Sequence, residues 1–284
     1  MRAFGWAATA LALVAVASAA MQEATVRLRV TAGEEIKYKS VTKSTLTIAG
    51  PMDITTNSTN SMVRTFKVGE NKEGWNAFTI SHSDVKMETD SDMSAMGQGS
   101  PEEIAKLTQG LQVSGEVNEM GAVRNITVKG GDTSDPMVMM ALGGVGQAMT
   151  DLGLMGIRYP AEGLKVGTTW TQKFFLGRVI SETMGGMISS NDSVDVEYKV
   201  VSVEDFQGKM HAVITATTNG TIKVESMMAG EGTMAANSTT KIWLDLQTGI
   251  VTKSEGKQTS TVELPAMGAT ATMEATTSET RVTE

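Results

Sequence analysis

The stretch Val-Thr-Ala-Gly-Glu-Glu-Ile-Lys-Tyr at residues 30–38 and its counterpart Leu-Lys-Val-Gly-Thr-Thr-Trp-Thr at residues 164–171 decide the fold expected for this chain. In each stretch a turn glycine, Gly33 or Gly167, follows a short apolar run and opens an alternating segment. Alternation with a period of two is typical of a β-strand with one buried face. The sequence therefore predicts the same turn and strand at two places in the chain.

Two further pairs of turn glycines repeat at nearly the same offset. Gly74 and Gly208 are separated by the same distance in sequence as Gly33 and Gly167, and each precedes a strand-like run. Gly121 and Gly249 have a slightly shorter offset, and each lies inside a turn that ends in valine. A nearly constant offset across three turns indicates that one β unit is duplicated.

The remaining sequence is mostly β in character. Period-two alternation recurs through the chain, and threonine, which suits half-exposed strands, is abundant. Such patterns predict antiparallel strands with one face on a core and the other in water. The clearest runs are residues 26–30, 126–128, 194–200, 222–225 and 242–246.

Two segments favour helix instead. Ser100, Pro101 and Glu103 form a cap, a first-turn proline and a capping-box acid, which predict a short helix near 101–109. An uncharged Met-rich run predicts a second helix near 136–153. Three stretches that mix methionine, glycine, serine and alanine are expected to be mobile loops: 90–99, 177–191 and 227–237.

The N-terminus has the features of an export signal. Residues 1–20 combine Arg2, a short apolar run and small residues before the expected cleavage point, as in a signal peptide. The predicted division is a first β unit at 21–154 and a second at 155–284. We therefore expect an exported protein, periplasmic or extracellular, without a transmembrane segment.

Composition narrows the expected function. The chain has no cysteine and a net charge of −8, so thiolate chemistry is excluded and nucleic acid is not an expected partner. His82 and His211 have no zinc-ligand spacing, and no nucleophile elbow or phosphate loop occurs. We expect a protein that is not an enzyme and that has no cofactor and no metal site.

Methionine is unusually frequent, with 21 residues. Thioethers can bind copper(I), and Met93 and Met96 have a suitable spacing, but no histidine or cysteine accompanies them. The better interpretation is an adaptable apolar lining, because methionine fits irregular cores and variable apolar partners.

One sequence segment in the second half of the chain resembles a known protein family. Pro160, followed by Leu164-Lys165-Val166-Gly167 and Trp170, resembles the "Pro, then Val-x-Val-Gly-x-x-Trp" line of an uncharacterised family of exported bacterial β-sheet proteins, with Leu164 in place of the first valine. The later run 244–251 is similar to its closing turn. The resemblance implies a curved, half-open barrel-like antiparallel sheet with one or two short helices. Such a sheet is loosely similar in fold to periplasmic lipoprotein carriers.

Two functions remain open at this level. In the first, a lipid or other apolar ligand binds in a cavity between sheet and helix, lined by Met139, Met140, Trp170 and Trp243. In the second, the chain is a structural or protein-interaction component of the cell envelope, and its partner is an envelope protein. Fold resemblance alone does not decide between them.

Overall fold

A computed structural model describes residues 25–50, 53–90, 100–130, 144, 146–183, 188–226 and 230–282. Three α-helices in this part of the chain are α1 (Pro101–Gly110), α2 (residues 146–152) and α3 (Leu176–Thr183). The strands are β1 (Glu35–Ala49), β2 (Ile54–Lys72), β3 (Trp75–Thr89), β4 (Gln112–Asn118), β5 (Val123–Lys129), β6 (Thr169–Phe174), β7 (Ile188–Ser189), β8 (Val194–Phe206), β9 (Lys209–Ser226), β10 (Gly230–Asp245), β11 (Val251–Leu264) and β12 (Ala269–Val282).

The strands form one antiparallel sheet, which confirms the predicted fold class. Its order is β5-β4-β3-β2-β1-β12-β11-β10-β9-β8-β6, and the short β7 also pairs with β9. The first half of the chain is therefore one meander and the second half another. The last strand, β12, pairs along its length with the first, β1, so both halves share a continuous sheet that is not closed at its β5 and β6 edges.

The two meanders have equivalent turns. The amide of Gly33 donates to the carbonyl of Val68 at 2.9 Å, and the amide of Gly167 donates to that of Val200 at 2.8 Å. All six paired glycines have positive φ angles, which glycine adopts without steric cost. These turns are consistent with a repeated unit, while duplication itself and the boundary at 154/155 stay predictions.

A short N-terminal segment shows how strongly the sheet curls. The amide of Leu28 donates to Glu119 in the β4–β5 turn at 2.8 Å, and the next amide, Arg29, donates to Thr248 in the β10–β11 turn at 2.7 Å. These turns are six strands apart in the sheet, or about 29 Å if the sheet were flat. Adjacent residues reach both turns, so the sheet must curl until its two halves meet at this end. We call this the strapped end, and the opposite end of the strands the open end.

The main core fills the strapped end. The inner face of the sheet is the side on which Ile36, Tyr38 and Tyr198 are buried. The segment between β5 and β6 packs onto this face through Leu154, Ile157, Tyr159 and Leu164, which are all at most 5% exposed. Contacts to both meanders hold this segment in place. The Tyr159 amide donates to the Met120 carbonyl, and its hydroxyl donates to the Gly249 carbonyl.

Helices α1 and α2 agree with the sequence where the structure describes them. Helix α1 has the predicted capping box between Ser100 and Glu103, which confirms the helix expected near 101–109. Of the second predicted helix, residues 146–152 are helical and 136–143 lie outside the described residues. The expected signal peptide at 1–20 also lies outside them.

The expected mobile loops are corrected by the structure. Those predicted at 177–191 and 227–237 are wrong over most of their length, because the former contains most of α3 and the latter most of the first half of β10. The third, at 90–99, lies outside the described residues except for Asp90, and with it the Met93 and Met96 pair.

Candidate functional site

Trp170 lies on the inner face, at the β6 edge of the sheet. Its ring stacks on Tyr198 with 5.0 Å between centroids and an interplanar angle of 10°. Its indole N–H donates to the carbonyl of Arg158 at 3.0 Å, and Gln172 donates to the same oxygen. Trp170 is therefore fixed between the sheet and the core segment, where it closes one side of the interior.

The structure does not bring Trp243 to Trp170. Trp243 lies between two core residues of β10, Ile242 and Leu244, and is not part of the core cluster itself. It contacts side chains of the opposite, outer face: its N–H donates to Glu204 at 2.6 Å, and the ammonium group of Lys253 lies 4.6 Å from its ring. Met139 and Met140 lie outside the described residues, so their predicted role is untested.

At the strapped end, the described side chains around Trp170 and Tyr198 belong to the packed core. The side chains of Met149 and Leu152, on α2, pack against the buried core. The residues that follow, from Leu154 to Leu164, fill the centre of the same cluster. Among the described residues this part of the interior is a packed core, and the expected cavity between sheet and helix stays a prediction.

Two rows of uncharged and mostly polar residues cross the inner face beyond this core. Strand register fixes their membership, because residues paired across neighbouring strands point to the same face. We call these two rows the hydroxyl belt. Its first row is Ser58, Ser44, Ala275, Gln258, Ser238 and Thr218, and its second is Asn60, Thr42, Thr277, Gly256, Thr240 and Ala216.

The hydroxyl belt is open to water at its centre. Thr277 and Gln258 are exposed although they lie on the inner face. The hydroxyls of Thr42 and Thr277 lie 3.2 Å apart across the β1–β12 ladder, also in an exposed position. The carbonyl oxygen of Asn60 is buried without a hydrogen-bond partner in the described part of the chain. The belt thus offers both accessible and unsatisfied polar groups.

An apolar row crosses the same face nearer the open end. Its members on the four central strands are only half-buried, in contrast to the fully buried residues of the strapped end. Between this row and the belt lies Met273, which is 36% exposed and pairs with Leu46. The apolar row consists of Ile54, Ile48, Ala271, Val262, Met234 and Ile222.

Charged residues separate the belt from the core, and they are paired with one another. The guanidinium of Arg64 donates to Glu279 at 2.7 Å and lies 5.6 Å from the Tyr38 ring. Arg281 lies 3.7 Å from Glu34. This boundary therefore carries both signs of charge in close pairs, which leaves neither of the two arginines without a carboxylate.

Burial sets the ionisation of the neighbouring groups. It raises the pKa of Tyr38, whose hydroxyl donates to the Val251 carbonyl at 2.9 Å, so this group stays neutral. Burial also lowers the pKa of His82, which pairs across the ladder with Arg64. His82 is therefore more strongly neutral near pH 7 than a solvated histidine, and it adds no charge to the boundary.

A cleft near α3 has a charged lining, unlike the inner face. It has a volume of about 750 Å³ and lies between α3, residues 189–192 and the ends of β9, β10 and β11. Its lining includes Arg178 and Lys223 as well as Glu225 and Glu231, two carboxylates that are direct cross-strand neighbours. Such a charged lining does not suit an apolar ligand, so the inner face is the better candidate.

The described residues show no group of three or more histidine, cysteine or acidic side chains placed to hold a metal ion. Two acidic residues near strand ends, Asp90 and Asp192, have partners within the protein. Asp90 accepts hydrogen bonds from the backbone and side-chain amides of Asn57, and Asp192 accepts one from the backbone amide of Lys223. These contacts fit structural turns at the ends of long strands.

The two rows of the hydroxyl belt were not recognisable from the sequence. Thr42, Ser238 and Gln258 lie in opposite halves of the chain and come together only through the register of four strands. Alternation revealed which residues share a face within each strand. It did not reveal which strands are neighbours, and for β1 and β12 that depends on the first and last strands meeting.

Comparisons with known proteins give only distant similarities. No family model and no curated protein matches the chain. A structure of lipovitellin is similar over 89% of this chain with 12% identity and a TM-score of 0.47, and this chain spans 25% of that protein. An outer membrane channel from Pseudomonas putida F1 is similar over 90% of this chain and 97% of its own length, with 9% identity and a TM-score of 0.28. A porin variant from Rh. blastica has 9% identity over 88% of this chain and all of its own, with a TM-score of 0.29. Similarity at this level assigns neither a ligand nor an activity.

None of the described helices has the length and apolar character needed to cross a membrane.

Proposed function

We propose that this chain is a non-enzymatic exported protein that binds a lipid or other apolar ligand on the inner face of its curled sheet, at the open end. The observation that carries the proposal is the apolar row across the six strands from β2 to β9. The row is half-buried except at Ile222, where it joins a second core cluster beside α3. Side chains of this kind are usually covered on the inner side of a curled sheet, because exposed contiguous apolar surface is unfavourable in water.

The shape of the sheet supports this location. The N-terminal segment and the core segment close one end, where Ile157 and Tyr159 are buried. Toward the other end the apolar residues on the four central strands are half-buried and Met273 is 36% exposed, whereas its cross-strand neighbour Ser260 is buried. A ligand that occupies the open end would cover apolar surface without displacing the core.

Native mass spectrometry of the mature protein, purified from its own envelope without detergent, tests the proposal. We expect an adduct of lipid mass on the wild-type protein. Met273→Asp should remove the adduct, because a charge on the inner face would have to be desolvated beside the ligand. Val201→Asp is the matched control, since Val201 is 42% exposed at the bulge of β8 and lies away from this face.

An adduct that survives Met273→Asp would contradict the location on the inner face. Met273 is 36% and Val201 42% exposed, so neither substitution should unfold the protein, and circular dichroism would verify this. Export is tested in the same preparation, because the intact mass shows whether the predicted signal peptide has been removed.

The second candidate function is a structural or protein-interaction component of the cell envelope. The observation that favours it is the densely filled strapped end, where the predicted cavity is replaced by packed side chains such as Leu154 and Ile157. A bare mass in the experiment above, together with a reproducible envelope protein cross-linked to the chain in cells, would support this function over ligand binding.

A further inference from the structure

We propose that the hydroxyl belt selects the class of ligand: an amphiphile with a neutral, polyhydroxylated headgroup, as in a glycolipid, rather than a fatty acid or a phospholipid. This inference rests on the proposed function, which supplies the apolar tail. The belt supplies the headgroup contacts on the same face of the same strands.

The chemistry of the belt matches sugar hydroxyls. Its polar members are serine, threonine, asparagine and glutamine, which offer both hydrogen-bond donors and acceptors and carry no charge. Thr277 and Gln258 present these groups in exposed positions. The buried, unpaired carbonyl oxygen of Asn60 is an acceptor that a hydroxyl group would satisfy.

The distances fit one molecule that spans both surfaces. Along β1, Ser44 belongs to the belt and Ile48 to the apolar row, with Leu46 between them on the same face. Four residues of an extended strand correspond to about 13 Å, which is less than the length of a twelve-carbon chain. A headgroup on the belt would therefore leave its tail on Leu46, Met273 and Ile48.

The charges argue against an anionic headgroup. Arg64 and Arg281 both pair with Tyr38 and are equally near the belt in strand order. Arg64 is bound to Glu279 at 2.7 Å, and Arg281 lies 3.7 Å from Glu34. A phosphate or carboxylate would have to displace one of these carboxylates to gain a guanidinium. Neutral hydroxyls need no such exchange, because they can bind the belt while both ion pairs stay intact.

Binding of three twelve-carbon amphiphiles to the mature protein, each below its micellar concentration, tests the inference. The probes are dodecyl maltoside, dodecylphosphocholine and dodecanoate, with maltose as the probe that lacks a tail. We expect dodecyl maltoside to bind at least tenfold more tightly than each of the other three, by calorimetry or equilibrium dialysis.

Two adjacent threonines of β12 provide the matched variants. Thr277→Val removes a hydroxyl from the belt, and Thr276→Val makes the same change on the outer face, where Thr276 is also exposed. We expect Thr277→Val to weaken dodecyl maltoside binding about fivefold to tenfold. It should leave dodecanoate binding unchanged, and Thr276→Val should change neither.

The outcomes separate this inference from the function on which it rests. Equal binding of the three amphiphiles, tighter binding of a charged one, or equal effects of the two valine variants would overturn the headgroup assignment while apolar binding stands. If maltose bound as tightly as dodecyl maltoside, the inference that the ligand needs an apolar tail would be overturned. If no twelve-carbon probe binds, the proposed function itself fails.

Discussion

Truncation of Ile157 to alanine distinguishes a packed interior from a ligand cavity at the strapped end. Ile157 is 1% exposed and lies in the main core cluster between the two meanders. The substitution removes three carbon atoms, worth about 2.4 kcal/mol at about 0.8 kcal/mol each. The cavity left behind raises the expected loss to about 3 kcal/mol, within the usual range for such changes.

Urea unfolding followed by tryptophan fluorescence measures this loss, since Trp170 packs against the same cluster. With a urea slope of about 2–3 kcal/mol per molar, the midpoint should fall by about 1–1.5 M. Val166→Ala is the control, because Val166 belongs to the same segment but is 59% exposed. Its unfolding free energy should change by no more than about 0.5 kcal/mol.

The same variant should keep its ligand, because the proposed site lies at the open end. A midpoint that moves no more than in Val166→Ala would show that the segment does not form a packed core. Loss of the lipid adduct in a folded Ile157→Ala protein would place the ligand at the strapped end and refute the location proposed above.

Three other predictions concern stability and use the same urea assay. Gly121→Ala should destabilise more than Gly74→Ala, because both positions have positive φ but only at Gly121 would the new Cβ lie 2.8 Å from the Ile157 carbonyl oxygen; equal losses would contradict the close packing. The lowered pKa of His82 means that the unfolded state binds more protons, so the free energy of unfolding should decrease as pH falls below about 6.5. His82→Gln should flatten this decrease, and an unchanged pH profile would assign the decrease to other groups. Ser100→Ala removes the side-chain cap of α1 and should cost about 1 kcal/mol, whereas an unchanged midpoint would show that α1 adds little to global stability.

Local features of the fold were predictable where the chain itself contains the cause. The capping box of α1 consists of residues three positions apart, so the sequence displays it directly. Alternation in β8 likewise shows as buried Val194, Val196 and Tyr198 beside exposed neighbours. Turn glycines were recognisable because their positive φ angles require glycine or a few polar residues.

The misplaced loops and the unforeseen site have another cause. The first residues of β10 gain their strand conformation from pairing with β9, where Gly230 opposes Ser226 and Thr233 opposes Lys223. Glycine and alanine there have low intrinsic β-propensity, so the sequence indicated a loop and the ladder overrode it. Trp243 was named as a lining residue, yet it contacts the outer face, where the ammonium groups of Lys241 and Lys253 lie 4.4 and 4.6 Å from its ring and Glu204 accepts its N–H.

The N-terminal segment, which links the two meanders at the strapped end, explains why one curled sheet can have a packed end and an accessible end. Neighbouring strands stay paired in the curled sheet, but the curl needs contacts that hold the two meanders together. The backbone hydrogen bonds of Leu28 and Arg29 supply such contacts only at the turns beside Gly121 and Gly249. At those turns Asn118 and Asp245 each accept two backbone hydrogen bonds, which keeps both anchor points rigid. In the described residues no equivalent strap crosses from one meander to the other at the far end of the strands. Burial follows the same division, because the inner face is fully buried beside the N-terminal segment, whereas the apolar row on the four central strands near the far end is half-buried.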